Sequence, residues 1–437
     1  MFEPELEALG RERLRALQLD RLRTLLAYVK ARIPLYRERL RDVDPAELTS
    51  LDDLARLPFT RKDDLRETYP FGMLAVPRAH LRRVHASSGT TGKLSVVGYT
   101  AADLDLFARV NARALAMAGA EPGMVLHNAY GYGLFTGGLG LHDGAERLGL
   151  AVVPVSGGLT ERQLVLIGDL RPDVLACTPS YALTLAEAFA ERGVPPDELS
   201  LRCAILGAEP WTEGMRREID AGLGVRSVDL YGLSEVIGPG VSCECVEART
   251  GLHVNEDHFL PEVVDATTGE RLPHGKEGVL IFTTLTKEAQ PLVRYWTGDV
   301  ASLDASPCPC GRTSVRMSRI AGRADDMLVI RGVNVYPTQI EAALLDVPEL
   351  TPNYRLVVTR GGTLDEAAVE IEVSEAFVRA AGLAEDVEPV RALRARAERQ
   401  LRETIGCSLA VSLRAPATLP RSEGGKLQRV VDRRALA

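Results

Sequence analysis

The stretch Ser87-Ser88-Gly89-Thr90-Thr91-Gly92-Lys93 packs four hydroxyls, two glycines and a lysine into seven residues. Glycines let a backbone turn tightly and approach a polyphosphate. Exposed amides and hydroxyls donate to its oxygens, and a lysine neutralises charge. The loop is not a Walker A sequence, which needs glycine at 87 and serine or threonine at 94, where this chain has Ser87 and Leu94. A flexible turn without a ligand is the competing reading. The lysine itself stands out, because the chain holds six lysines against forty-six arginines. Lys93 and Lys426 both sit in glycine-rich settings.

Working outward from the loop, residues 84–235 alternate strand-like runs with helical patterns. GMVLHNAYG, LAVVPVSG, DVLACTP, RCAILGA and VRSVDLYG read as strands. ADLDLFARVNARALAMAG, SYALTLAEAFAERG and TEGMRREIDAGLG read as helices. That alternation predicts α/β layers on a parallel sheet, with strand-to-helix turns at its carboxyl edge, where ligands bind. From about 240 to 320, turn signals between short β runs predict a β-rich subdomain. From 323 a smaller α/β unit follows, with YRLVVTR, EAAVEIEVS and SLAVSLRAP as strands and RALRARAERQLRETIG as a helix. The expected domains are therefore 1–322 and 323–437. At the other end, residues 11–33 read as an arginine-rich surface helix ended by Pro34, with Ser50 and Thr60 as caps of two further helices.

Composition narrows the classes. A chain of 437 residues exceeds one ordinary core at about 150 residues per domain. Its 46% apolar and 26% charged content is that of a folded globular protein. A net charge of −8 argues against a general nucleic-acid binder. No apolar stretch is long enough to span a membrane, and no signal core opens the chain, so a cytoplasmic protein is expected.

Seven cysteines in this length do not make a disulfide scaffold. Cys308 and Cys310 bring two thiols together, and Cys245 and His253 lie upstream. Three cysteines and a histidine form a common structural zinc set, soft thiolates with a borderline imidazole. Cys243 rivals Cys245, His258 is a further rival, and reduced buried thiols are the alternative.

The loop Ser87–Lys93 resembles the signature of the adenylate-forming superfamily, which holds acyl-CoA synthetases, peptide-synthetase adenylation domains and luciferases. Its other motifs follow in order. Gly207-Ala208-Glu209-Pro210 resembles the adenine-contacting segment, and Tyr231-Gly232-Leu233-Ser234-Glu235 the aromatic–Gly–x–Ser/Thr–Glu motif. Tyr295-Trp296-Thr297-Gly298-Asp299 resembles the ribose-binding motif and Gly322-Arg323-Ala324-Asp325-Asp326 the hinge. Gly424-Gly425-Lys426 stands where the catalytic lysine lies. Within the superfamily, His127-Asn128-Ala129-Tyr130-Gly131-Tyr132-Gly133-Leu134-Phe135-Thr136-Gly137-Gly138 looks like the phenylacetate–coenzyme A ligase family. So do Glu256-Asp257-His258-Phe259 and the stretch Arg331–Pro337. Some members of that family carry a cysteine pattern like the one above.

The resemblance implies the adenylate-forming fold, a large domain with a small mobile one hinged at Asp325 near 323–326. It also implies ATP and Mg2+, with coenzyme A as co-substrate and a carboxylic acid, best phenylacetate, as substrate. Lys426, Glu235 and Thr91 are the implied catalytic set, with Glu235 a magnesium ligand through its hard oxygens. Nucleotide contacts fall on the 87–93 loop, on 207–210, and on Tyr231, Gly232, Ser234, Asp299 and Arg323. Asp299 is suited to both ribose hydroxyls, since a carboxylate accepts two O–H bonds. Lys426 is a mobile point charge on a flexible stem. Tyr130, Tyr132, Phe135, Ile237 and Pro239 are the expected acyl pocket, with core packing as the alternative. A homodimer is implied too, for which the chain itself offers no feature. Three other readings stand: adenylyl transfer to a deazaflavin-type acceptor, acyl transfer to a carrier-protein thiol, and a non-catalytic nucleotide-binding regulator.

Overall fold

Short apolar runs closed by glycine or polar turns become the strands of the chain. A computed structural model describes residues 1–87, 95–324, 328–330, 333–335, 337–345, 347–361, 364–384, 386–419 and 429–433. Two units separate, Met1–Arg319 and Ile320–Ala437.

In the first unit a hairpin pairs β1 (Arg83–Ser87) with β2 (Ser95–Tyr99), antiparallel, with Ser87 opposite Ser95. Then come β3 (Val125–Asn128), β4 (Ala151–Val153), β5 (Val174–Cys177), β6 (Cys203–Gly207) and β7 (Arg226–Leu233). Helices Ala101–Met117, Gly137–Leu148, Thr160–Leu170, Pro179–Glu191 and Glu213–Leu223 lie between consecutive strands from β2 onward. The strands run parallel in the order β4-β3-β5-β6-β7. β5 and β6 are buried along their whole length, the mark of strands covered on both faces.

β8 (Gly238–Glu244) and β9 (Leu252–Val254) extend the sheet antiparallel beyond β7. β10 (Phe259–Val264), β11 (Gly278–Thr284) and β12 (Tyr295–Ala301) form an antiparallel meander. β13 (Leu303–Asp304) and β14 (Arg316–Met317) return to the sheet beside β9. The β-rich reading of this stretch matches these elements.

Local chemistry fixes the helix ends. Thr100 and Asp103 form a reciprocal capping box on Ala101–Met117, with bonds of 2.9 and 3.1 Å. Gly140 and Gly144 lie where the next helix crosses it. A Cβ at Gly140 would meet the Phe107 ring at 2.3 Å, and one at Gly144 the Asn111 Cβ at 2.4 Å.

The N-terminal helix spans Arg11–Arg32, and Pro34 both stops it and opens a second helix, Pro34–Arg39. Ser50 caps its helix as expected. Thr60 does not cap. Its hydroxyl donates to the Val293 carbonyl at 2.6 Å and meets the Tyr36 hydroxyl, and its backbone pairs with Arg294 and Trp296. The following helix is capped instead by Asp64, which accepts from the Arg61 amide at 2.7 Å.

Several arginines are inside. Arg113 bonds Glu3, Asn255 and both oxygens of Asp257. Arg294 bonds both oxygens of Glu262 at 3.0 and 3.2 Å, donates to the Ala55 and Leu57 carbonyls, and lies 4.2 Å over the Phe59 ring.

In the second unit, Leu350–Gly361 and Leu364–Val373 pair antiparallel in the middle of a four-stranded sheet. Ala410–Arg414 and Val430–Asp432 add parallel at its edges. Helix Glu388–Ile405 covers it with Leu393, Ala397, Leu401 and Ile405.

Arg294→Ala leaves Glu262 buried without its partner. We expect a loss of about 3–5 kcal/mol, read by denaturant unfolding; a loss below about 1 kcal/mol would show that water compensates the carboxylate.

Candidate active site

The edge where β6 and β7 end carries two of the motifs. Gly207 closes β6 so tightly that a Cβ there would lie 2.1 Å from the Leu230 carbonyl oxygen. Ala208 takes a left-handed φ of 71°. Glu209 turns back to accept the Ser180 amide at 2.6 Å, at the start of helix Pro179–Glu191.

Next to it, the Tyr231 hydroxyl donates to Asp299 Oδ2 at 2.7 Å. The Asp299 amide in turn donates to Thr297 Oγ1 at 3.0 Å. Residues 68 positions apart are thus joined between β7 and β12. The β7–β8 pairing shifts register after Tyr231. There the backbones nearly touch: a Cβ on Gly232 would sit 1.9 Å from the Gly238 carbonyl oxygen.

The turn between these strands holds Ser234 and Glu235, both buried. Its far end is held by the Tyr99 hydroxyl, which donates to the Ile237 carbonyl at 2.9 Å. Its middle is held by Lys287, whose Nζ donates to the Glu235 carbonyl at 2.9 Å. Lys287 is only 2% exposed and lies 5.3 Å from the Tyr99 ring centre. Burial pulls its pKa down to about 8, against the attraction of Asp103 and Glu235. The Glu235 carboxylate receives no donor among the described residues.

The aromatic–glycine stretch after β3 splits by exposure. Tyr130 is buried in the core under the sheet, and Ile237 is buried as well. Tyr132 is half-buried, with its hydroxyl on Asn128 Nδ2 at 2.8 Å, and Phe135 is 42% exposed. The Phe135 and Tyr130 rings both flank Gly137, where a Cβ would lie 3.2 and 3.5 Å from them. Pro239 is half-buried, and its carbonyl accepts from Asn111. His127 bonds Gln163, which also donates to the Ser156 and Gly158 carbonyls at 2.7 and 2.9 Å. The 156–158 backbone is thereby held beside Tyr132, whose amide donates to Ser156 Oγ.

Away from this edge, Cys245, His253, Cys308 and Cys310 bring four donor atoms within 4.8 Å of one another. The closest approaches are Cys245 to Cys308 at 3.6 Å and Cys310 to His253 Nε2 at 3.4 Å. Ser314 Oγ lies 3.1 Å from the other ring nitrogen of His253. Burial pushes the Cys245 thiol up to about 12. At Cys310 burial acts the same way, but hydrogen bonds with His253 and Arg312 outweigh it and hold the thiol at about 6. Cys243 stands apart, in the core with its thiol toward the Ala114 and Glu244 carbonyls. His258 is also elsewhere, between Thr286 and Asp257.

Ser88, Gly89, Thr90, Thr91, Gly92, Lys93, Asp325 and Lys426 lie outside the described residues, and Ser87 is described by its backbone alone. Arg323 lies in the second unit, on the short strand Gly322–Arg323.

Residues 84–285 match the family model of AMP-binding enzymes, and residues 332–434 that of the AMP-binding enzyme C-terminal domain. A phenylacetate–coenzyme A ligase of Thermus thermophilus is 63% identical, over 99% of this chain and 100% of its own. The chain belongs to the phenylacetate–coenzyme A ligase family. A member from Escherichia coli is 46% identical over 98% of this chain and 97% of its own. A crystal structure of 2-hydroxyisobutyryl-CoA ligase in complex with R3-HIB-AMP superposes with a TM-score of 0.90 at 29% identity, covering 99% of this chain and 92% of that one. The expected adenylate-forming fold, a large α/β domain with a smaller one, is the fold of this family.

Sequence reasoning passed over Lys287, Asp103 and Gln163. Lys287 had one available signal. It is a lysine in a chain nearly without them, three residues beyond the apolar strand β11. Among the described residues no helix is long and apolar enough to cross a membrane.

Gly232→Ala forces β7 and β8 apart at the switch point. Overpacking of a rigid contact costs about 1–3 kcal/mol and more where backbone must move. We expect at least about 3 kcal/mol, read by urea unfolding; a variant as stable as the parent would show that the register shift absorbs a methyl group.

Proposed function

We propose that the chain is an ATP-dependent ligase of the cytoplasm. It activates an aryl or arylacetic acid, best phenylacetate, as its acyl adenylate and passes the acyl group to coenzyme A. One observation carries this reading. The bonded pair Tyr231–Asp299 stands beside the Gly207 edge, in a chain that aligns end to end with phenylacetate–CoA ligases.

In the first half-reaction a carboxylate oxygen attacks the α-phosphorus of ATP, the bond to the β-phosphate oxygen breaks, and pyrophosphate leaves. Both reactants are anions, so the protein's task is positioning and charge neutralisation. Asp299, oriented by Tyr231 and Thr297, takes the ribose hydroxyls. The Tyr231 ring packs on adenine, with the 207–210 backbone alongside. The hydroxyls and glycines of 87–93 cradle the phosphates, Thr91 among them, and Arg323 adds a cation at the ribose–phosphate region. Glu235 fits Mg2+: its carboxylate is buried, acidic and without a described donor, as a ligand for a hard cation should be. The ion, when bound, neutralises phosphate charge. Lys426 stabilises the charge that builds between carboxylate and α-phosphate. In the second half-reaction the coenzyme A sulfur attacks the acyl carbonyl and AMP leaves, with Asp325 as the hinge between the two catalytic states.

The exposed Phe135, the half-buried Tyr132 and the Pro239 backbone offer an aromatic slot, with Tyr130 and Ile237 as its buried floor. In the same reading, Cys245, His253, Cys308 and Cys310 hold a structural zinc ion. Their four donors, within 4.8 Å of one another, would fill a structural zinc's coordination and leave no open position for catalysis. Cys245 follows β8, His253 lies on β9, and the two other thiols precede β14, so a zinc held by them would tie the antiparallel edge of the sheet together.

The test is pyrophosphate release from ATP and Mg2+ across phenylacetate, hydroxyphenylacetates, benzoate, indoleacetate and medium-chain fatty acids, with and without coenzyme A. Arylacetate-selective release with turnover dependent on coenzyme A is expected. Release that stalls without a carrier protein would favour the carrier-thiol reading. Silence across the acids with ATP still bound would favour the deazaflavin-type acceptor or the regulator.

For zinc, elemental analysis of the purified chain should give one zinc per chain. Cys308→Ser should lose it and lower the melting temperature by about 5–10 °C. A metal-free parent of equal stability would leave the cluster as reduced thiols.

A further inference from the structure

Lys287 is the one lysine of the first unit that is buried among the described residues, and nothing in the reaction above uses it. A buried ammonium costs several kcal/mol of desolvation unless its surroundings answer for it. Its surroundings are specific. Nζ donates to the Glu235 carbonyl at 2.9 Å and faces the Tyr99 ring at 5.3 Å. The segment that carries it is fastened by Asp103, which accepts the Glu288 and Ala289 amides at 2.7 and 2.9 Å. Glu288 in turn accepts from Thr100 Oγ1 at 2.9 Å. The capping box of helix Ala101–Met117 therefore doubles as the anchor of Lys287.

The turn it grips is short and steep. It runs from the β7–β8 contact at Gly232 to Gly238, and its other hold is the Tyr99 hydroxyl on the Ile237 carbonyl. Fixing the carbonyl of Glu235 limits how its own side chain can leave the backbone.

We propose that Lys287 is a positioning residue for Glu235: by clamping the Glu235 carbonyl it aims the carboxylate at the metal that accompanies the nucleotide phosphates. Glu235 is the residue that touches the metal, and Lys287 acts through it. The inference rests on the magnesium-ligand reading of Glu235, so the experiment separates the two.

ATP binding is measured by calorimetry on the full-length protein, without acid or coenzyme A, in the presence and absence of Mg2+. Four proteins are compared: the parent, Lys287→Met, Glu235→Gln and the double variant. Methionine keeps the length and apolar stem of lysine without its charge. We expect Lys287→Met to weaken ATP binding about tenfold with Mg2+ and less than twofold without it. On the Glu235→Gln background it should add less than twofold, because the residue it positions is already disabled. A full tenfold loss on that background, or an equal loss without Mg2+, would mean that Lys287 acts on the nucleotide directly, and the proposal fails. If Glu235→Gln leaves the Mg2+ dependence untouched, the magnesium-ligand reading falls and takes the proposal with it. Should Lys287→Met not fold, Tyr99→Phe removes the other grip on the turn and keeps the ring. It should weaken Mg2+-dependent binding about threefold, and no change there overturns the proposal.

Discussion

The contact between Gly232 and Gly238 sets the geometry on which the site depends. β7 pairs in parallel with β6 on one side and antiparallel with β8 on the other, so the sheet changes direction at this strand. The change requires a tight return from Leu233 to Gly238, and the two backbones come closer than any side chain permits. Gly238 adopts a φ of 108°, and a Cβ there would meet the Phe107 ring at 2.7 Å and Thr136 at 2.9 Å. Four segments converge on that point: β7, β8, helix Ala101–Met117 and the start of helix Gly137–Leu148. Tyr231 leaves on one side toward Asp299, and Glu235 sits in the return itself. Tyr231 and Glu235, the residues proposed to meet nucleotide and metal, are thus held by backbone close-packing, the stiffest restraint available to a chain.

Buried ion pairs carry a second part of the framework. Arg113, Arg216, Arg294 and Arg312 are each buried against a carboxylate. The planar fork of arginine suits this use, since it meets both carboxylate oxygens and still has donors for nearby carbonyls. Arg294 does both at once. Such pairs add little net stability over apolar packing, but they fix register, because breaking one leaves a bare charge inside. Glu7 on Arg312 and Glu3 on Arg113 apply this to the N-terminal segment, fastening it next to the cysteine turn.

The parallel strands were legible because buried strands are short apolar runs ended by glycine or a polar turn, and VLAC and CAILG are of that kind. The motif residues were legible as a resemblance, and the Tyr231–Asp299 bond joins two of them. Thr60 was misread for a physical reason. A threonine before Arg-Lys-Asp-Asp has the pattern of a cap, yet its hydroxyl and backbone are taken by Val293, Arg294 and Trp296, over two hundred residues away. The choice between Cys243 and Cys245 turned on where β8 ends. Cys243 is within the strand and faces the core, whereas Cys245 lies past Glu244, where strand alternation no longer decides its direction. Lys287 offered only its rarity as a signal, because its partners, Asp103 and Glu235, come from segments the sequence does not connect.

In the proposed mechanism, two lysines in a chain of arginines serve by opposite mechanics. Lys426 follows two glycines in the small unit, and a charge used in one half-reaction must be free to leave in the next. Lys287 is the reverse case, a charge enclosed by Tyr99, Asp103 and the return from β7 to β8. At Lys287 an ammonium concentrates its charge on a single carbonyl, whereas a guanidinium would spread it over a fork. In the proposed arrangement this cation, held on the Glu235 carbonyl, keeps Glu235 aimed whether or not nucleotide is present, so that the metal position would be set before the phosphates arrive. In the proposed reaction Lys426 then adds its charge only at the bond that forms. Separating these duties would leave the ground state prepared and reserve the extra stabilisation for the transition state, which is where it changes the rate.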